Sequence, residues 1–193
     1  RGDRFRQRGS FWQGAREIEN ASRLHQGSPV FAGALAKQRL HELLFGQKKS
    51  FELATNNANK LGSASGILIG GNLSILFSML ATPERYTFSE CILFIEDVAE
   101  HLYHIDRMLH ALRKNGALNQ IRGLVVGGMT DLEDTDVPFG KAIEALILDH
   151  FKYRKIPICF DFPAGHIDDN QALVFGTSVE LSVYKNKSTL SYL

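Results

Sequence analysis

The chain has 193 residues, 44% of them hydrophobic and 22% charged, with 22 Lys+Arg against 21 Asp+Glu for a formal net charge of +1. That is enough chain for one ordinary domain, too apolar for a disordered protein, and too balanced in charge for any general attraction to nucleic acid or anionic membranes. No run reaches the roughly 18 to 20 uncharged apolar residues of a membrane span, so no membrane partner is expected.

Residues 1–35 are predicted to be an irregular segment outside the domain that follows. Arg1, Arg4, Arg6, Arg8, Arg16 and Arg23 outnumber Asp3, Glu17 and Glu19 there. Phe5, Phe11 and Trp12 interleave with them, but no base-reading module follows and no nucleic-acid partner is expected. The start is charged, without the apolar core of a signal peptide, and the expected location is the cytoplasm. A chain that opens on Arg1 rather than Met reads as a fragment.

The domain is predicted over 36–193. A helix is expected over 36–45, with Leu40, Leu43 and Leu44 on one side and Gly46 as its stop. A strand at 51–54 leads into a turn marked by Asn56, Asn57, Asn59 and Gly62. The run GILI at 66–69 reads as a buried strand closed by Gly70, Gly71 and Asn72. A short helix over 73–80 follows, with Pro83 beyond its end. CILFI at 91–95 is the next strand, ending at Glu96 and Asp97. In the helix predicted over 99–114, Leu102, Ile105, Leu109 and Leu112 recur every three or four residues, and Asn115-Gly116 stops it. GLVV at 123–126 is a third strand, closed by Gly127-Gly128. A helix over 139–151 precedes a fourth strand at 156–160, which runs into Phe162-Pro163-Ala164-Gly165-His166. Strand-like runs at 173–175, 178–184 and 188–192 come last, the final two forming a hairpin across Lys185-Asn186-Lys187. The expected fold is α/β, with strands alternating with helices in a mixed sheet that carries a C-terminal antiparallel hairpin.

Several near-motifs fail on inspection. Gly62-Ser63-Ala64-Ser65-Gly66 resembles a nucleophile elbow, but its centre is Ala64. His41-Glu42-Leu43-Leu44-Phe45 lacks the second His of a zinc protease. Gly66 to Gly71 does not fit a dinucleotide fingerprint, and Asp131, Glu133, Asp134 and Asp136 lack the glycine and final Glu of a calcium loop. Cys91 and Cys159 form no CxxC pair and read as buried reduced thiols. His101 and His104 share a helix face without further ligands, so no metal or cofactor is expected.

Glu96 and His166 stand out by position. Each follows an apolar strand, where α/β folds concentrate their chemistry. A carboxylate there can fix the tautomer of an imidazole, as the orienter and base of a Ser-His-Asp/Glu triad. The plain alternative is a turn carboxylate and a structural histidine, with Asp97 as a helix cap.

Four segments taken in order carry a resemblance: LIGGNLSIL (68–76), ILFIEDVAEHLYHIDRML (92–109), GLVVGGMTD (123–131) and PICFDFPAGHIDDNQALVFG (157–176). They resemble the C-terminal domain of the LD-carboxypeptidases, cytoplasmic muropeptide-recycling enzymes whose relatives include the microcin self-immunity peptidases. The likeness runs over about 40–184. It implies a Ser-Glu-His triad with Glu96 and His166 as its second and third members, no metal, and release of the terminal D-alanine from murein tetrapeptides. It also implies a homodimer. The family's serine lies on an N-terminal domain in a GGYGSxR-like turn, which 1–35 do not match, so this chain alone is expected to be inactive. Alternatives are a microcin-immunity-type peptidase acting on acyl-nucleotide-like substrates, and a truncated domain that only binds or dimerises. An α/β-hydrolase shares the Ser…Glu…His order, but no GxSxG occurs.

Overall fold

Strands buried on both faces read as continuous apolar runs, and three such runs form the middle of this molecule. The computed structural model describes residues 39–43, 45, 50–82, 87–168 and 170–193. Its sheet contains β1 (Ser50–Leu53), β2 (Gly62–Asn72), β3 (Cys91–Val98), β4 (Gly123–Thr130), β5 (Ile158–Cys159), β6 (Ser178–Val183) and β7 (Ser188–Tyr192). The order is β1-β7-β6-β2-β3-β4-β5. β2, β3, β4 and β5 run parallel, whereas β6 and β7 are an antiparallel hairpin inserted between β1 and β2. The expected mixed α/β sheet with its C-terminal hairpin is the observed one.

Alternation along the central strands divides two cores. Leu93, Ile95, Leu124 and Val126 pack under α1 (Leu73–Ser78), α2 (Leu102–Lys114), α3 (Ala117–Gln120) and α4 (Ile143–His150). The stripe of α2 that meets them is Ile105, Met108, Leu109 and Leu112, each buried. Each such side chain contributes about 1.5–3 kcal/mol by leaving water. Ile92, Phe94 and Val125 face the other way, into Leu68, Leu181, Leu190, Phe51 and Phe162. Phe51 on β1 meets Phe162, just beyond β5, edge to face at 5.3 Å. Lys60, shortly before β2, exchanges backbone hydrogen bonds of 2.9 and 3.0 Å with Ile158 on β5. The sheet therefore curls its two edges toward each other around the second core.

Several boundaries differ from those expected. β2, β3 and β4 run beyond their apolar centres, so Gly70-Gly71-Asn72, Glu96-Asp97 and Gly127-Gly128 lie inside strands rather than closing them. Gly70 marks a close approach: a Cβ there would sit 1.9 Å from the Phe94 carbonyl oxygen. β5 shrinks to two residues because Pro157 has no N–H to give and the N–H of Phe160 goes to the side chain of Asn59 at 2.8 Å. No strand forms at 173–175, where the N–H of Val174 donates to the Tyr192 hydroxyl. α2 starts three residues late because Ala99 adopts φ +55° and donates to the carbonyl of Thr130 at 3.0 Å. α4 starts at Ile143, since the N–H of Phe139 is held by Asp134 and Gly140 turns the chain at φ +77°. The helix after β2 ends at Ser78 and tightens into a 3₁₀ turn over Met79–Ala81, and α3 was not expected.

Of the helix expected over 36–45, residues 39–43 are helical; its other residues except Phe45, with Gly46, Pro83 and the segment 1–35, lie outside the described residues. Among the described residues no helix is long and apolar enough to cross a membrane.

Candidate active site

Ile95 pairs with Val126 and Asp97 with Met129, so Glu96 alone opposes Gly127 and Gly128. This bulge lies at the carboxyl end of the parallel strands, where bulges commonly re-aim side chains. Alternation puts Glu96 on the side of Ile92 and Phe94, and Asp97 on the helix side.

The segment after β5 is laid against Glu96 by the backbone. The N–H of Phe162 donates to Val126 at 2.9 Å, and that of Gly128 donates to Ala164 at 2.8 Å. Gly165 then takes φ +116°, and a Cβ there would lie 2.8 Å from Oε2 and 2.9 Å from the Cβ of Glu96. Glycine is required at this point by both backbone conformation and contact. His166 follows, with Nδ1 2.7 Å from Glu96 Oε2 and its backbone N–H donating to the same oxygen at 3.2 Å. The carbonyl of His166 accepts from Thr130 Oγ1 at 3.0 Å.

Glu96 is only 5% exposed, while the His166 side chain is one quarter exposed. An ionised carboxylate only accepts, so the tautomer that fits this contact with an ionised Glu96 has its hydrogen on Nδ1 and its lone pair on Nε2. The structure thus brings together the two residues singled out in the sequence.

Asp97 does separate work. Its Oδ1 accepts from Asn72 Nδ2 at 2.8 Å and from the N–H of Val98, and its Oδ2 accepts from the N–H of Ser74 at 3.0 Å. Asn72 in turn caps α1 through Ile75. Asp97 therefore fastens the start of α1 from a neighbouring strand. Burial is the main influence raising its pKa above the usual carboxylate value, against the three hydrogen bonds that lower it; the charge of Glu100 pushes it up as well.

The remaining candidates do not join the site. His104 pairs with Glu100 at 2.9 Å and His101 with Glu133 at 3.6 Å. Among the described residues no three His, Cys, Asp or Glu are arranged to hold a metal. Cys91 and Cys159 are buried, which pushes their thiols up to about 12 and about 11 and makes them poor nucleophiles. A cavity of about 490 Å³ lies at the opposite, amino end of the parallel strands, lined by Ser63, Glu90, Arg122, Arg154 and Pro157.

Sequence reasoning missed Thr130, the contact role of Gly165, and Asn170, whose side chain bonds Gly165. The signal available was only the glycine before His166 and an amide four residues after it.

Comparison with known proteins identifies the domain that carries this geometry. A family model described as the LD-carboxypeptidase C-terminal domain matches residues 65–181. A Synechocystis protein that carries a provisional carboxypeptidase name is 34% identical over 79% of this chain and 50% of its own length. The crystal structure of muramoyltetrapeptide carboxypeptidase from Oxalobacter formigenes matches with a TM-score of 0.76 at 29% identity, over 83% of this chain and 55% of that one. The microcin C7 self-immunity protein MccF shares the fold, with a TM-score of 0.67 at 15% identity over 81% of this chain and 55% of its own. The chain spans about half the length of the Synechocystis relative. By the family match and the fold together, the chain belongs to the LD-carboxypeptidase family, of which it carries the C-terminal domain.

Proposed function

We propose that this chain is the base-bearing part of a serine-type LD-carboxypeptidase that releases the terminal D-alanine from murein tetrapeptides in the cytoplasm. The observation that carries this reading is the 2.7 Å contact between Glu96 and His166 Nδ1 at the carboxyl ends of β3 and β5. The serine comes from the part of the relatives' length that this sequence does not cover. His166 Nε2 takes the serine proton as the hydroxyl oxygen attacks the carbonyl between the L-centre and D-alanine. Glu96 keeps the ring in register and stabilises the imidazolium. The tetrahedral intermediate collapses, the C–N bond breaks, and His166 returns the proton to the leaving amine. Water then hydrolyses the acyl-enzyme by the same exchange. The assembly is proposed as a homodimer, as the family resemblance implies.

The test is release of D-alanine from a murein tetrapeptide by the complete protein that contains this chain, before and after His166→Ala. Loss of release in the variant supports the reading. Release that persists in the variant overturns it. Cleavage of aspartyl sulfamoyl adenosine with no action on the tetrapeptide moves the reading to a microcin-immunity-type peptidase.

A further inference from the structure

His166 is held from more than one side. Glu96 accepts from its ring and from its backbone N–H, and Thr130 donates to its carbonyl. None of these bonds explains why the preceding residue, Gly165, holds φ +116°, a conformation an unconstrained loop leaves readily. The explanation lies in Asn170. Its Oδ1 accepts from the N–H of Gly165 at 3.2 Å, and its Nδ2 donates to the carbonyl of Gly165 at 2.8 Å. One side-chain amide therefore satisfies both polar groups of a single backbone residue.

The consequence reaches the dyad through short steps. The carbonyl of Gly165 belongs to the peptide unit whose N–H is that of His166, and that N–H points at Glu96 Oε2. Rotation of this peptide would break the 3.2 Å bond to Oε2 and swing the imidazole away from the carboxylate. Gly165 has no side chain to resist such rotation. We infer that Asn170 is a positioning residue: its amide clamps Gly165 so that His166 presents Nδ1 to Glu96.

Asn170 is exposed and lies in a loop, so its removal leaves both hydrophobic cores intact. Glutamine at this position adds a methylene that pushes the amide out of register. Aspartate keeps the acceptor for the Gly165 N–H and loses the donor to its carbonyl. The expected order of function is therefore Asn170, then Asp, then Ala. The inference rests on the proposed function only in taking His166 as the base.

The test is nuclear magnetic resonance of the uniformly ¹⁵N-labelled chain, reading the downfield proton on Nδ1 of His166 and the amide of Gly128. Wild type is expected to show this proton sharp and protected from exchange. Asn170→Ala is expected to lose it while the thermal midpoint and the Gly128 amide resonance stay in place, and Asn170→Asp is expected to keep it in weakened form. In the complete protein, Asn170→Ala is expected to lower kcat by roughly 100-fold with KM nearly unchanged, as for a catalytic group displaced by about 1 Å. An Nδ1 proton unchanged in Asn170→Ala overturns the inference. So does loss of the Gly128 resonance or a collapse of the thermal midpoint, which assigns Asn170 a purely structural role. If the Nδ1 proton is lost as expected but His166→Ala leaves hydrolysis untouched, the clamp stands and the proposed function fails.

Discussion

A single oxygen of Glu96, Oε2, is 2.7 Å from the ring nitrogen Nδ1 of His166 and 3.2 Å from its backbone nitrogen. The same atom thus anchors the residue and sets the tautomer of its side chain. Glu96→Gln keeps the shape but offers an amide that donates as well as accepts, and it removes the charge that stabilises an imidazolium. In the complete protein kcat should fall by about 10⁴-fold, as when a triad aspartate is replaced by asparagine. His166→Ala should fall comparably, and the double variant should be little worse than either single one. Steady-state kinetics of the three variants measure this. Losses that multiply across the pair would show that the two residues act independently.

Gly165→Ala is the second prediction. The new Cβ would meet Glu96 at 2.8 to 3.0 Å, on a backbone already at φ +116°. Strain of this kind costs about 1–3 kcal/mol. Glu96 cannot retreat freely, since Phe94 and Ile95 before it and Asp97 after it are all buried in β3. The expected outcome is a lowered midpoint in chemical denaturation and a weakened contact between Glu96 and His166. Denaturation curves unchanged from wild type would contradict the close approach.

How far the sequence revealed this site depends on how local each interaction is. CILFI and GLVV were legible as strands because burial on both faces leaves a continuous apolar run. Their ends were not legible. Gly70-Gly71 and Gly127-Gly128 carry a turn composition, yet parallel pairing with Phe94 and Ile95 keeps the first two in β2, and close packing of Gly127 against Phe94 and Ala164 holds the other two in the bulge of β4. Burying Glu96 and Asp97 inside β3 violates the local pattern for the same reason. Their partners, His166 and Asn72, lie 70 and 25 residues away, beyond the reach of any local pattern. The positions of Glu96 and His166 were found because each directly follows an apolar run. Thr130, at the end of β4, and Asn170, in the loop after His166, lie inside two of the resembling segments, but their roles depend on the backbone of His166 and Gly165 and are not visible in the residue types.

Asp97 supplies a prediction about pH. Its folded pKa lies above the unfolded value, so the native state binds the proton more tightly than the unfolded chain. Its contribution is fully favourable below the ordinary value of 3.8 and is lost as pH rises through the raised folded pKa. Asp97→Asn removes that dependence. Denaturation midpoints of wild type and variant, measured from pH 3.5 to 7 in steps of about half a unit, should show wild type losing ground to the variant as pH rises. Asp97→Ala removes the same dependence and should add a cost of about 1–3 kcal/mol, because Asn72 Nδ2 and the N–H of Ser74 lose their acceptor. Parallel curves for wild type and Asp97→Asn would contradict the direction of the shift.

The last prediction is that the 193-residue chain by itself does not hydrolyse murein tetrapeptide at an enzymatic rate. A base and its orienter accelerate acyl transfer only when a nucleophile and oxyanion donors are held against them. The tempting hydroxyls among the described residues are Ser63, Ser65 and Ser74, and each is placed elsewhere. Ser63 Oγ bonds Ser182 Oγ at 2.9 Å, and Ser65 sits opposite Glu180 in the β2–β6 pairing. Asn72, not Ser65, is the β2 residue in register with Glu96, and the two are separated by about 23 Å of extended strand. Ser74 Oγ donates to Asn72 Oδ1 at 2.6 Å, at the start of α1 on the face that Asp97 serves. Cys91 is no substitute, since burial holds its thiol at about 12, and Cys91→Ser in the complete protein should leave turnover largely intact. The assay is release of D-alanine by the purified chain, run beside the complete protein. Robust turnover abolished by Ser63→Ala, Ser65→Ala or Ser74→Ala would place the nucleophile within this domain and require the strand carrying it to move far from its present register.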